Sequence, residues 1–315
     1  MTPRTLSTAL LGLVLALTGC SAPTDASSPA SSSASASTEV DADAPEVDRD
    51  PQGELPAITF SAKGIPTMKV VESDPPSVIS VKTLTAGDGA TVGSSDFVSV
   101  NYAGFLWSDG TQFDSSYDSG QPAGFALGQV VDGWRYGLAG TKVGDRVVIV
   151  VPPDYGYGDE ATDSIPAGST LVFVVDVLST TSVSTDALNS ATLTGASLPD
   201  GVTVTGELGK EPTLAFADGS SAPDEETAVV IAEGTGAEIT DTDTILYHAV
   251  GGYWGGQTSS SWSSSYQSVT SGGGSATVGK RVGSRILLTF PADEENSTEA
   301  QALVIDILAA VPAST

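Results

Sequence analysis

The chain has 315 residues, with 12 Lys plus Arg against 39 Asp plus Glu and a formal net charge of -27. At roughly 100–200 residues per domain this length predicts about two domains. The acidity argues against a nucleic-acid backbone as partner, since phosphate binding runs on Lys and Arg, and against a polybasic grip on an anionic membrane. A hydrophobic content of 40 % supplies a core, a single Cys excludes an intramolecular disulfide, and a single His makes a His-based metal site or a His-dependent triad a poor fit.

Arg4 is the only charge before a short apolar run from Leu6 to Leu17. That run is shorter than the about 20 residues a membrane-spanning helix needs. A charged start, an apolar middle and small residues after it read as a secretory signal over residues 1–19. The run ends in Leu17-Thr18-Gly19-Cys20, which resembles the bacterial lipobox. The resemblance implies cleavage before Cys20, a lipid on that residue, and a protein held outside the bacterial cell membrane by its anchor alone. Stable anchoring takes two or more acyl chains, which bacterial lipoproteins supply. The alternative is a plain signal peptide with an incidental Cys. From there the chain is dominated by Ser, Ala, Thr, Asp, Glu and Pro. With little apolar area to bury, residues 20–54 are predicted to form a disordered acidic tether, and order is expected to begin near Leu55.

Beyond the tether, Val98, Val100 and Tyr102 alternate with polar residues, as in a half-buried strand. Val147 to Val151 and Leu171 to Leu178 are continuous apolar runs bounded by turn signals, as buried strands read. One short helix is predicted before Gly140, with Asp132 as N-cap and Gly133 to Leu138 as its body. The fold class is therefore α+β, dominated by sheet. Three motifs recur in order. Gly87-Asp88-Gly89-Ala90-Thr91-Val92 returns as Gly234-Thr235-Gly236-Ala237-Glu238-Ile239, Lys142-Val143-Gly144-Asp145-Arg146 as Arg281-Val282-Gly283-Ser284-Arg285, and Val174-Val175-Asp176-Val177-Leu178 as Val304-Ile305-Asp306-Ile307-Leu308. This predicts two related domains, 55–180 and 198–312, joined by a Ser/Thr-rich linker at 181–197.

A series of motifs runs through the first of these. It begins with Val100-Asn101-Tyr102-Ala103-Gly104, Gly110-Thr111-Gln112-Phe113-Asp114-Ser115-Ser116 and Phe125-Ala126-Leu127-Gly128. It continues with Val130-Val131-Asp132-Gly133-Trp134, Gly137-Leu138-Ala139-Gly140 and Lys142-Val143-Gly144-Asp145-Arg146. It ends with Pro152-Pro153-Asp154-Tyr155-Gly156-Tyr157-Gly158, Ile165-Pro166 and Ser169-Thr170-Leu171-Val172-Phe173. In content and order the series resembles the FKBP-type peptidyl-prolyl cis–trans isomerases. The resemblance implies a strongly curved antiparallel sheet wrapped over one short helix, with the helix doubtful in the second domain. It also implies a pocket lined by Tyr102, Phe113, Phe125, Val130, Val131, Trp134, Tyr157, Ile165 and Phe173, with Trp134 at its floor. By the same resemblance the Tyr157 hydroxyl donates to a substrate carbonyl, and Asp114 at the pocket edge orients Tyr102 and faces the twisted peptide. The expected partners are proline-containing exported polypeptides and the family's macrolide inhibitors. The loop Asp159-Glu160-Ala161-Thr162-Asp163-Ser164 departs from the family, which often carries a His or a bulky apolar residue there.

These residue types suit the chemistry. An X–Pro bond turns over in tens to hundreds of seconds unaided, and its barrier is the loss of amide resonance on twisting. No bond is broken, so no nucleophile, metal or cofactor is required. The twisted amide is less charge-separated than the planar one, and an apolar, water-poor pocket favours it relative to water.

The second domain is expected to keep the sheet and lose the site. Ala249 falls opposite Tyr102, with Tyr247 as a partial substitute, Trp262 opposite Phe113, Ser263 in place of Asp114, and Leu303 opposite Phe173. Glu294-Glu295-Asn296 matches Tyr155-Gly156-Tyr157, and no counterpart is seen for Phe125 to Trp134. His248, Lys142 and Arg146 read as structural or solvated residues. An alternative function is a proline-peptide receptor or chaperone without turnover. A sugar- or metal-binding lipoprotein fits less well, because such proteins need larger α/β lobes.

Overall fold

The computed structural model of the chain describes residues 44–272, 275–293 and 298–312. The first half contains β1 (Val47–Asp48), β2 (Ala57–Phe60), β3 (Pro66–Lys69), β4 (Ile79–Thr85), β5 (Phe97–Leu106), β6 (Gln112–Ser115), β7 (Ala123–Ala126), α1 (Asp132–Leu138), β8 (Arg146–Val151) and β9 (Leu171–Thr181). After α2 (Asp186–Asn189) come β10 (Thr192–Leu193), β11 (Val202–Thr205), β12 (Thr213–Phe216), β13 (Thr227–Glu233), β14 (Thr244–Tyr253), β15 (Thr258–Ser260), β16 (Gln267–Thr270), β17 (Arg285–Phe290) and β18 (Gln301–Val311).

Two seven-stranded sheets share one plan. The first runs β1-β4-β8-β9-β5-β6 with β7 also on β5; the second runs β10-β13-β17-β18-β14-β15 with β16 also on β14. The outer edge of β5 is divided. Phe97 to Val100 pair with β7, and Ala103 to Phe105 pair with β6. Between them the Tyr102 amide is accepted by the Ser116 hydroxyl at 2.9 Å. Strand β14 repeats this, with the Ala249 amide accepted by Ser261 Oγ at 3.0 Å.

The continuous apolar runs follow from burial on both faces. Val147, Ile149 and Val151 of β8 pack with Trp134 and Leu138 of α1. Val148 and Val150 face the other way, with Phe105, Trp107, Val172 and Val174, under Ile58 and Met68 of the β2–β3 hairpin. The β11–β12 hairpin covers the second sheet in the same manner. The two covers are tied on alike: Trp107 Nε1 donates to the Ser73 carbonyl at 3.3 Å and Trp254 Nε1 to the Ser220 carbonyl at 3.2 Å, each across 34 residues. Beneath the second hairpin lies a buried ion pair, Arg285 to Asp306 at 2.7 Å, whose guanidinium also donates to the Lys210 carbonyl at 2.7 Å. Its first-half counterpart is Arg146, paired with Asp176 and lying 4.4 Å from the Phe60 ring centroid, so Arg146 is a packing residue rather than a solvated one.

The repeated glycines serve contact. A Cβ at Gly87 would stand 2.3 Å from the Val143 carbonyl oxygen, and one at Gly234 would stand 2.2 Å from that of Val282. The facing Gly144 and Gly283 have φ of +92 and +91, a conformation that favours glycine.

Order begins before Leu55. β1 pairs in parallel with β4, Val47 opposite Ile79. Arg49 then donates to the carbonyls of Tyr136 at 2.9 Å and Ala139, at the end of α1 where helical carbonyls lack partners. The segment 181–197 likewise carries the end of β9, α2, and β10 paired with β13. Asp132 is the first residue of α1 rather than its cap, which is Val131. Among the described residues of 198–312 there is no helix. The halves meet in a shared apolar cluster, in which Phe97, Ala126 and Leu188 are buried with Leu246, Tyr266, Leu308, Ala309 and Val311.

Helix α1 sits on β8 through two glycines. A Cβ at Gly133 would stand 2.2 Å from Val151 Cγ1, and one at Gly137 would stand 2.7 Å from Ile149 Cγ2. Gly→Ala inside a helix ordinarily stabilises by about 1 kcal/mol. At Gly137 the sign is expected to reverse, to a loss of about 1–3 kcal/mol through overpacking. Chemical denaturation of Gly137→Ala checks this; a gain in stability would show that α1 does not lie against β8.

Candidate active site

The concave face of the first sheet carries a cluster of aromatic rings. Trp134, in the first turn of α1, makes edge contacts with Phe125 at 4.8 Å, Tyr102 at 5.3 Å and Phe173 at 5.3 Å between centroids. Tyr102 meets Phe125 at 5.5 Å, and Phe113 meets Phe173 at 5.6 Å. Edge-to-face pairs of this kind are worth ~0.5–1.5 kcal/mol each beyond their burial. Three strands, the split between β6 and β7, and the helix start thus converge on one indole. Trp134, Phe173, Ile165 and Tyr102 are buried, whereas Phe113, Phe125, Val130 and Val131 are half-buried around them. The buried indole N–H of Trp134 has no hydrogen-bond partner, a single free donor in an otherwise apolar floor. Tyr157 stands apart from the cluster and is 43 % exposed.

The polar edge depends on a bulge. Gly104 is opposite Asp114, but Phe105 is opposite Gln112, so Phe113 is an extra residue in β6. A bulge breaks strand alternation and re-aims side chains. Here it brings neighbours Phe113 and Asp114 to the same side. Gly104 makes room: a Cβ there would stand 2.5 Å from Phe113 Cζ. The Tyr102 hydroxyl donates to Asp114 Oδ2, and the Ser115 amide donates to Oδ1 at 2.8 Å. Burial first, then the Asp114 hydrogen bond and charge, and lastly Tyr157 push the Tyr102 phenol well above its ordinary range, so it stays a neutral donor.

Sequence reasoning missed Ser116, whose hydroxyl fills the gap beside Tyr102, and Tyr155, packed at the edge of the cluster. The repeated Ser pair, Ser115-Ser116 and Ser260-Ser261, was the available signal. It also corrects the alignment of the halves. Ser115 Oγ accepts the Tyr117 amide and Ser260 Oγ accepts the Trp262 amide, both at 3.1 Å. Trp262 therefore stands where Tyr117 does, not Phe113, and stacks on His248 at 4.6 Å. Ser259, opposite Gly251, takes the place of Asp114 in place of Ser263. The stretch from Phe125 is not wholly without counterpart: Val269 pairs with Ile245 as Phe125 does with Val98. Leu303 faces Gly251 and Leu288 as Phe173 faces Gly104 and Ile149. Glu294, Glu295 and Asn296 lie outside the described residues, as do Cys20 and its lipobox.

A sequence model of the FKBP-type peptidyl-prolyl cis-trans isomerases matches residues 89–178. Three curated relatives agree. FK506-binding protein 2 of Emericella nidulans is 44 % identical over 95 residues, 30 % of this chain and 70 % of that protein. The FK506-binding protein of Streptomyces anulatus is 38 % identical over 109 residues, 33 % of this chain and 88 % of its own length. The probable FK506-binding protein of Corynebacterium glutamicum is 34 % identical over 114 residues, 36 % of this chain and 97 % of its own length. The aromatic cluster, the bulge and the short helix all fall inside the matched span, and the chain belongs to the FKBP-type peptidyl-prolyl cis–trans isomerase family.

Proposed function

We propose that the protein is an exported, membrane-tethered prolyl isomerase that speeds the folding of proline-containing exported polypeptides. The observation that carries this is the ring cluster around Trp134, closed below by a partnerless indole and edged by the Tyr102–Asp114 pair. A proline ring seated on Trp134 between Tyr102, Phe125 and Phe173 leaves its preceding amide at the rim, beside Asp114 and below Tyr157. There the amide loses water. Planar amides lose more solvation than twisted ones, so the barrier of about 18–20 kcal/mol falls. The Tyr157 hydroxyl donates to the substrate carbonyl and fixes the peptide's direction. Asp114 holds Tyr102 and faces the rotating bond as an electrostatic and positioning group, not as a general acid. The same apolar floor suits the family's macrolide inhibitors.

The second half is a repeat that has kept the sheet and lost the pocket. It has Ala249 for Tyr102, Ser259 for Asp114, Leu303 for Phe173, Val269 for Phe125, and, among its described residues, no helix to carry a Trp floor. Lipid on Cys20 would place both halves outside the cell membrane, held at a distance by the Ser- and Ala-rich segment.

A protease-coupled proline-peptide assay on the full chain tests the site. Tyr157→Phe removes one neutral hydrogen bond, about 0.5–1.5 kcal/mol, so kcat/KM is expected to fall about two- to tenfold. Asp114→Asn and Phe173→Ala are each expected to lower it by about tenfold or more, with folding checked by circular dichroism. A triple variant that keeps near wild-type catalysis would locate a second site and refute the loss of function in the repeat. Peptide binding without catalysis in the wild type would replace the isomerase by a receptor.

Cell fractionation tests the anchor. The wild type is expected with membranes and Cys20→Ala in the soluble or unprocessed pool; equal membrane association of the two would refute lipidation.

A further inference from the structure

The segment Phe125–Val131 leaves β7, makes a 3-10 turn at Leu127–Gln129 and enters α1. Phe125, Val130 and Val131 pack inward on the concave core. The turn has no side-chain cap of its own. Its outer side is taken by the second half. Gln129 Nε2 donates to the Tyr266 carbonyl at 2.6 Å, across 137 residues, and the Tyr266 hydroxyl donates to the Ser95 carbonyl at 3.3 Å, across 171 residues. A Cβ at Gly128 would stand 3.0 Å from Ser265 Oγ. Just inside, Phe97 and Ala126 are buried against Leu246, Tyr266 and Leu308.

Tyr266 therefore touches both chains that meet at the root of this segment. Ser95 precedes Asp96, whose carbonyl accepts the Leu127 amide at 2.9 Å and whose carboxylate accepts the Thr180 hydroxyl at 2.7 Å. Burial, with the Asp96 charge second, holds the Tyr266 phenol above its ordinary range as a neutral donor. The acceptor for Gln129 comes from the loop between β15 and β16, in the second half.

We propose that the second half is a positioning element for the isomerase pocket, in which Tyr266 braces the Val130–Val131 wall through Gln129. This rests on the reading of Phe125, Val130 and Val131 as pocket residues. An unbraced wall samples more positions. A bound peptide must then order the wall, which weakens binding. Rotation of the seated X–Pro bond, governed by Trp134, Asp114 and Tyr157, is untouched. The brace thus acts on KM and leaves kcat alone.

Full-length protein carries the test. Gln129 lies at the exposed rim of the contact, so Gln129→Ala removes the donor with little burden on folding. KM for a proline peptide is expected to rise about twofold to tenfold, the range a neutral hydrogen bond spans, with kcat and thermal midpoint unchanged. Gln129→Lys keeps a donor on a long side chain and is expected to restore KM, whereas Gln129→Glu is not. Tyr266→Ala is expected to raise KM further. The double variant with Gln129→Ala should fall short of the product of the two, since both remove one brace. Amide resonances of Val130 and Val131 should move in Gln129→Ala. Unchanged KM and unmoved resonances in that variant would overturn the proposal, as would multiplicative effects in the double variant. Phe125→Ala separates the layers. A raised KM there beside an unmoved Gln129→Ala refutes the brace alone; no change in either refutes the pocket assignment and the brace together.

Discussion

The divided edge of β5 is the constraint from which the rest follows. A strand of 10 residues offers one edge to β9 along its whole length, while the other edge passes from β7 to β6. An unpaired amide inside a protein costs free energy comparable to a lost hydrogen bond. The break at Tyr102 is tolerable because the Ser116 hydroxyl takes its amide. The break lets β6 and β7 diverge, and the space between them is where the Tyr102 ring meets Trp134 and its hydroxyl meets Asp114. Strand β14 keeps the same break and the same serine, yet puts Ala249 where the ring would stand. The curvature and the chemistry are therefore separable. Ser116 and Ser261 serve the first; the helix and the Phe113 bulge serve the second.

Much of this could be read from the sequence. Val147–Val151 and Leu171–Leu178 announced buried strands, Gly133–Leu138 announced the helix, and the ordered motifs brought Tyr102, Phe113, Phe125, Trp134 and Phe173 to one place. The outer hairpins were not seen. Strand β2 buries little beyond Ile58, and such short, mostly exposed strands carry no periodic signal. The clue lay in their partner: a run apolar at every position, such as Val147–Val151 of β8, needs a cover on each face. The entry strand β1 and the Arg49 cap were hidden for a different reason. Their contacts are with residues about 30 to 90 positions away, and the polar composition around them reads locally as disorder.

The misplacement of Trp262 has a physical cause as well. Equal spacing from Tyr102 and Ala249 carries Phe113 onto Ser260, and matching ring to ring carries it further, onto Trp262; the hairpin after β14 is in fact two residues shorter than the one after β5, one of the two being the bulge residue of β6. A bulge is invisible to counting. The Ser-Ser pair after each strand has a fixed hydrogen-bonding duty and marks the register better than the variable loop before it.

The charge distribution bears on how an apolar pocket works in so acidic a chain. Asp114, the carboxylate tied to the ring cluster, is satisfied by a phenol and a backbone amide rather than by a cation. Two ion pairs lie on the opposite face: Arg146 with Asp176 under Phe60, and Arg285 with Asp306 under the second hairpin. A guanidinium or ammonium at the pocket rim would stabilise the oxygen charge of a planar amide, which is the ground state, and would deepen the well the enzyme has to lift the substrate from. In the proposed mechanism the Tyr157 hydroxyl would orient the carbonyl with less of that penalty. With Asp114 held by a phenol and a backbone amide, and Tyr102 neutral between that carboxylate and the indole, the proposed site would favour the less charge-separated, twisted peptide.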